Sequence, residues 1–339
     1  MPDRWILRKG SPTSGFRYAT EHGAVVRDRA TLERIRALRV PPAWTDVHIA
    51  ATTRPAIQAW GLDARGRKQY RYHERAVKRG ELRKYYRMRQ LGRELPHIRR
   101  VLATAQRVHA LALARVAGGV LRLIAEGCFR PGSDRYTREN RSFGITTLRK
   151  SHVTLKDGVA IFEYRGKSGI KQRQTIAEPR SVRFIASLMK SPGRRLFRYE
   201  LEGTWYDLDA RQLNDYLRES LGFPYTAKDF RTWGGTLRAA TVLAELGPAK
   251  SRTEAKRNIN TVMRLVAAEL GNTPTICRKS YVHPVVLERY LADGSTIADH
   301  SPKRRSPGAD ETHTPEERAL VAFLDEHFPE RRRSRRDDA

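Results

Sequence analysis

Cysteine is almost missing from this chain: Cys128 and Cys277 are the two in 339 residues, and they form no close-spaced pair. That argues against a disulfide framework and a thiolate zinc cage, so stability has to come from burial. Long apolar runs are missing as well. None approaches the ~20 residues a spanning helix needs, and no lipid-anchor motif is present, which leaves an acidic membrane surface as a minor electrostatic partner. The opening Met-Pro-Asp-Arg-Trp-Ile-Leu-Arg-Lys-Gly lacks the apolar core of a secretion signal, so a cytoplasmic chain is expected. Acidic residues are scarce too: 37 Asp+Glu stand against 66 Lys+Arg, a net charge of +29. The excess runs through most of the sequence, and such a field favours a polyanion, above all nucleic acid.

At 39% hydrophobic, the chain has enough apolar residues for one or two ordinary cores, and its length favours two. Short alternating runs at Trp5-Ile-Leu, Phe16-Arg-Tyr, Val47-His-Ile and Gln69-Tyr-Arg-Tyr-His73 predict a small antiparallel sheet. With a helix over residues 31–38 they make an N-terminal domain, 1–78. Beyond it Leu102, Val108, Leu111, Val116, Val120 and Ile124 recur at helical spacing, as one core helix or two in sequence. Strands are then predicted over 152–156, 159–164 and 170–176. They are joined by an Asp157-Gly158 turn and a second turn, Arg165-Gly-Lys-Ser-Gly169, which puts Lys167 at a hairpin tip. Asp209 and Ser251 are N-cap signals for two later helices, and Gly271 is a stop. The polar stretch 299–312 reads as a linker before a short helix opened by Thr314 and a basic end at 331–336. The fold class is therefore α+β: a small antiparallel sheet domain, a larger mainly helical catalytic domain (79–298) with a three-stranded hairpin sheet, and a C-terminal piece (299–339).

Phosphoryl transfer is catalysed mainly by positioning and charge, and guanidinium groups fork onto phosphate oxygens. Arg130 in Cys128-Phe-Arg-Pro-Gly132 and Arg231 in Thr226-Ala-Lys-Asp-Phe-Arg-Thr-Trp233 are candidates for that fork. Lys167 suits a general acid, because a flexible tip can carry an ammonium into a groove. Tyr281, in Gly271-Asn-Thr-Pro-Thr-Ile-Cys-Arg-Lys-Ser-Tyr-Val-His-Pro284, is the candidate nucleophile. Taken singly, each residue has an ordinary explanation: packing for one of 13 tyrosines, phosphate or solvent contact for an arginine in so basic a chain. Gly166-Lys167-Ser168 imitates the end of a nucleotide-binding loop, but that loop needs glycine at position 161, which is isoleucine. His152, His283 and Cys277 are read as structural.

Together these segments resemble the type IB DNA topoisomerases, in their small poxvirus and bacterial branch. The resemblance runs from Val40 to Pro284. It rests on Pro41-Pro-Ala-Trp-Thr-Asp-Val47, the run from Ile57 to His73, Ser142-Phe-Gly-Ile-Thr-Thr-Leu148, Phe162-Glu-Tyr-Arg-Gly-Lys-Ser168 and the arginine and tyrosine segments just quoted. It implies that Arg130, Lys167, Arg231 and Tyr281 hold four of five catalytic positions, with a covalent 3′-phosphotyrosyl intermediate and no need for ATP or an obligatory metal. At the fifth position viral and eukaryotic members carry histidine, where this chain has Asn272. A neutral amide can still donate to a phosphate oxygen, but it carries no charge. The resemblance further implies a monomer clamped around double-stranded DNA, nucleoid-associated in a bacterium. Gln58, Arg65, Arg67, Lys68, Gln69, Tyr70, Arg71 and Tyr72 are expected to contact DNA from the N-terminal domain, and Lys228 from the catalytic domain. Two rivals follow from the same residues: a tyrosine recombinase, disfavoured by Lys228 where His-x-x-Arg is usual, and a non-catalytic DNA-packaging protein.

Overall fold

The structure, a computed structural model, describes residues 4–105, 107, 110–222, 225–300 and 313–328. Val108, residues 301–312 of the predicted linker and the basic end at 331–336 lie outside these. The chain divides into two compact units, Met1–Lys84 and Tyr85–Ala339.

The first unit is built on five antiparallel strands, β1 (Trp5–Ser11), β2 (Gly15–Thr20), β3 (Thr45–Ala50), β4 (Ile57–Leu62) and β5 (Lys68–Tyr72), in the order β2-β1-β3-β4-β5. Between β2 and β3 comes α1 (Arg29–Ala37), whose first turn is capped by Asp28 accepting from the Thr31 N–H at 2.8 Å. Ile6, Val47, Ile49 and Ala59 of the sheet and Ile35 of the helix form one small core. Four of the five strands and the helix were anticipated. β4 was not, because Gln58, Ala59 and Gly61 are all buried along it and the expected in-out alternation is lost.

The second unit follows α2 (Glu74–Ala105), within which the division falls. Its helices are α3 (Leu113–Gly127), α4 (Asp134–Asn140), α5 (Pro179–Met189), α6 (Ala210–Leu221), α7 (Ala227–Leu246), α8 (Arg252–Leu270), α9 (Pro274–Ser280), α10 (Pro284–Asp293) and α11 (Pro315–His327). The apolar segment around Val116 is thus two helices in sequence. Helix α3 is the centre of the core, with Val116, Val120, Leu121, Leu123 and Ile124 all buried. The predicted hairpin sheet is present as β6 (Val153–Lys156), β7 (Val159–Arg165) and β8 (Lys171–Ile176), with Asp157 and Gly158 both at positive φ in the first turn. A separate hairpin joins β9 (Arg198–Leu201) to β10 (Thr204–Asp207).

The caps follow the sequence signals. Asp209 accepts from the Gln212 N–H and Ser251 from the Glu254 N–H, while Glu254 turns back to the Lys250 N–H in place of the cap's own. Residues 299 and 300, read as the start of a linker, belong instead to a 3-10 turn, Ile297–His300. Past them α11 lays Ala319, Leu320, Phe323 and Leu324 into the same core as α3, and its capping Glu317 takes two hydrogen bonds from Arg99 at 2.8 and 2.7 Å. Among the described residues no helix is long and apolar enough to cross a membrane.

Candidate active site

The last carbonyls of a helix have no partner within it and carry the negative end of its dipole. Helix α8 ends this way at Gly271, which sits at φ 60 where a side chain is disfavoured. Two cations take that end. Arg231 of α7 donates Nη2 to the Leu270 carbonyl at 2.9 Å. Arg130, from the loop after α3, donates Nη2 to the Gly271 carbonyl at 2.8 Å and to Asn272 Oδ1 at 2.6 Å. Tyr281 closes α9, and its ring centroid lies 5.3 Å from Arg231 Cζ. The structure therefore brings Arg130, Arg231, Asn272 and Tyr281 together.

Helix α7 also fixes the tyrosine's backbone. Thr236 Oγ donates to the Tyr281 carbonyl at 3.3 Å, and a Cβ on Gly235 would come within 2.9 Å of the same oxygen. His283 is buried and caps α10 by accepting from the Val285 N–H, which is the structural role assigned to it.

Arg231 is only 2% exposed, yet among the described residues its Nε and Nη1 have no hydrogen-bond partner, and neither does the buried Nδ2 of Asn272. Among the described residues neither Arg130 nor Arg231 has a carboxylate partner. Burying charge without a counter-ion is expensive, so two such cations beside three idle donors describe a place for an anion. Burial and, after it, the charge of Arg231 lower the pKa of Arg130. The other nucleophiles nearby are held protonated. Burial pushes Tyr164 up to about 12 and Cys277 up to about 11, although Arg231 and Arg130 pull both the other way. Cys277 is fully buried and packs, as expected.

Among the described residues no hydrogen bond or ion pair ties Lys167 to this cluster. It lies exposed at the β7–β8 tip, where Ser168 (φ 61) and Gly169 (φ 78) make the turn, and its ammonium has no partner among the described residues. The root of the hairpin is nevertheless anchored at the site. The Phe143 N–H donates to the Arg165 carbonyl at 2.8 Å, and Gln172 of β8 packs against both Gly166 and Gly271. The run from Ser142 to Leu148 does a second job that its sequence did not disclose. Ile145 N–H bonds the Arg130 carbonyl at 2.7 Å, and Thr146 N–H bonds the Pro131 carbonyl at 2.8 Å, clamping the loop that carries the arginine.

Gly144 is where that clamp is tightest: a Cβ there would meet Gly132 N at 2.5 Å, Gly132 Cα at 2.6 Å and the Arg130 carbonyl at 2.7 Å, all backbone. Gly144→Ala should therefore cost about 1–3 kcal/mol, lower the melting temperature by several degrees and displace Arg130. Thermal unfolding checks this, and an unchanged melting temperature would contradict the packing.

Comparison with known proteins decides the family. Residues 73–304 match the family model for the catalytic core of eukaryotic DNA topoisomerase I, and residues 15–63 match that for the N-terminal domain of bacterial DNA topoisomerase IB. This chain belongs to the type IB DNA topoisomerases. It is 34% identical over 277 residues to the DNA topoisomerase 1B of Acanthamoeba polyphaga mimivirus, covering 79% of this chain and 82% of that one. To the DNA topoisomerase 1 of rabbit fibroma virus it is 24% identical, covering 79% and 84%. A solved XerH site-specific recombinase, bound to palindromic difH substrate in a post-cleavage complex, aligns with TM-score 0.36 and 16% identity over 55% of this chain and 47% of that one; so low a score carries no argument.

The N-terminal unit of this topoisomerase sorts its predicted DNA contacts by face. β5 is an edge strand, and Lys68, Tyr70 and Tyr72 share one side of it and Gln69 and Arg71 the other. On the first side Lys68 Nζ sits 3.5 Å from the Trp60 ring centroid, and the exposed Tyr70 and Tyr72 rings stack at 5.8 Å. On the second, Arg71 donates to the Arg39 carbonyl at 2.9 Å. Gln58 departs from expectation: it is 3% exposed, and its amide donates to the Thr53 and Pro55 carbonyls, holding a loop instead of facing outward. Arg65 and Lys228 are exposed.

Asp63 is a residue that sequence reasoning passed over. Its carboxylate accepts from the Arg65 and Arg67 N–H groups, from Arg67 Nε at 2.8 Å and from Gln69 Nε2 at 2.9 Å, so one acid sets the turn and aims two predicted DNA contacts. Arg67 foremost holds its pKa well below the usual carboxylate range. The available signal was an aspartate three residues before Gly66, a local turn pattern.

Proposed function

We propose that this chain relaxes supercoiled double-stranded DNA by cutting one strand, letting the free 5′ end rotate and resealing it. The observation that carries the reading is the pair of arginines at the end of α8, without acidic partners and with Arg231 keeping two buried donors idle, beside the Tyr281 ring. In this mechanism Tyr281 Oη gives up its proton to solvent and attacks the scissile phosphorus, forming a 3′-phosphotyrosyl bond as the phosphorus–5′ oxygen bond breaks. Arg130 and Arg231 hold the non-bridging oxygens as charge builds on them, and Asn272 Nδ2 adds a neutral hydrogen bond. Lys167 gives its proton to the departing oxygen. In this reading the β7–β8 tip, which holds Lys167 exposed, brings the ammonium to the departing oxygen when DNA is bound. Religation is the same sequence reversed. Rotation is driven by supercoil strain, so the reaction needs no nucleotide.

The N-terminal unit contributes a basic, aromatic face to the same duplex. We take the protein to act as a monomer that closes both units around DNA, in the cytoplasm and on the nucleoid. Lys228, exposed on α7, contacts the backbone from the catalytic side.

The direct test is relaxation of supercoiled plasmid with chelator present and nucleotide absent, together with denaturant trapping of protein on DNA. A protein that binds plasmid but neither relaxes it nor forms an adduct would overturn the proposal. Asn272 gives a finer check. Asn272→Ala should slow cleavage by about 10–100-fold, since it removes a neutral donor and also the acceptor that orients Arg130. Asn272→His should retain activity, because imidazole can present an N–H to the same oxygen. Complete inactivity of the histidine variant in the relaxation assay would count against that role.

A further inference from the structure

In the second unit, between the turn that follows α10 and the end of α11, two histidines and a glutamate meet. His300 closes the 3-10 turn after α10, while Glu326 and His327 end α11. His300 Nε2 is 3.7 Å from one oxygen of Glu326, and His327 Nε2 is 3.7 Å from the other. The three ligand atoms lie within 4.8 Å of one another. Both imidazoles are largely covered, with side chains 18% and 11% exposed, and among the described residues neither ring has a hydrogen bond. Their distances to the carboxylate are too long for hydrogen bonds. They are close to the spacing of ligands that share a metal: bonds of ~2.0–2.2 Å in a tetrahedral site put neighbouring ligand atoms about 3.3–3.5 Å apart. The ring of Phe323, 5.7 Å from His300 and 4.5 Å from His327, meets both at steep angles and helps fix their planes.

We propose that His300, Glu326 and His327 form a binding site for one zinc-class divalent cation, with solvent completing the shell. Two imidazoles and one carboxylate suit zinc and its late first-row neighbours over magnesium or calcium, which take all-oxygen shells. The site pins the end of α11 to the turn that follows α10. Helix α11 in turn packs on α7, the helix that carries Arg231. The metal is thus a structural clasp on the catalytic unit and takes no part in phosphoryl transfer. Residue spacing does not disclose it, because only Glu326 and His327 are neighbours in the chain and His300 reaches them from another element.

The test uses the full chain, free of any histidine tag and stripped with chelator. Calorimetric titration with Zn2+ should show one saturable site per chain with micromolar or tighter affinity. At hundredfold excess over Kd the melting temperature should rise by ~5 °C, while Mg2+ should leave it unchanged. His300→Ala/His327→Ala should lose at least about tenfold in affinity together with the thermal shift. Should that double variant fail to fold, the solvent-exposed Glu326→Gln variant decides: it should weaken binding and change the visible spectrum of bound Co2+. Absence of a saturable zinc site, an equal shift with Mg2+, or Zn2+ binding and Co2+ spectra unaltered by the substitutions would each overturn the proposal.

Discussion

Tyr281→Phe is expected to abolish plasmid relaxation and the covalent adduct, lowering single-turnover cleavage by more than about 10⁴-fold while leaving DNA affinity and folding intact. The separation follows from how the residue is held. Helix α7 grips its backbone through Thr236 and the close approach of Gly235, and its ring lies beside the Arg231 guanidinium. Phenylalanine keeps all three of those relations and removes one oxygen. No other nucleophile in the neighbourhood is ready to replace it. The Tyr164 phenol, pushed up to about 12 by burial, donates to Gln174 Oε1 at 2.9 Å, and the Cys277 thiol is fully buried. The measurements are denaturant trapping, peptide mapping of the linked residue and fluorescence anisotropy for affinity. An adduct that survives in the variant, or maps elsewhere in the wild type, moves the nucleophile to another residue.

Much of the architecture was readable because local chemistry and tertiary packing agree. The Asp157-Gly158 turn takes positive φ at both residues between two strands of clear alternation, and Asp209, Ser251 and Thr314 cap helices where the pattern places them. Helix α7 escaped for the opposite reason. Asp229, Arg231, Thr232 and Thr236 are all buried along it, so the apolar stripe that marks a helix is interrupted by the residues that build the site. Asp229 shows how such a residue is tolerated: it accepts from the Thr226 N–H and Oγ and from Arg87 Nη2 at 2.9 Å, and thereby starts the helix.

For the site itself, the identities of Arg130, Arg231, Asn272 and Tyr281 came through family likeness, since any one of them alone looks like an ordinary basic or aromatic residue. Their cause did not come with them. Nothing in one sequence says that the end of α8 will supply two carbonyls to two arginines, or that Gly144 will press on the Arg130 loop, because both are meetings between segments far apart in the chain. Gln58 and Asp63 failed in complementary ways. The first was expected to contact DNA and is buried, and the second was an unremarked acid that orients Arg67 and Gln69.

Arg231→Ala should slow cleavage and religation by about 10³–10⁵-fold, the range seen when an arginine that meets charge developing on a transferred phosphoryl group is removed. Stability should move far less. Arg231 is 2% exposed and among the described residues makes one hydrogen bond, to Leu270, so the protein already bears the cost of burying a cation with Nε and Nη1 idle. Removing it relieves that cost while losing stem packing and the partner of one carbonyl, two effects of opposite sign that should hold the melting temperature within a few degrees. Arg231→Lys restores the charge without the planar fork and should recover no more than about tenfold. The deciding comparison is rate against affinity. If Arg231 acts on the transition state, single-turnover cleavage falls by orders of magnitude while the dissociation constant for duplex DNA changes only slightly. If both fall together, the arginine is one more phosphate contact in a chain of net charge +29, and the idle donors beside Tyr281 require another ligand.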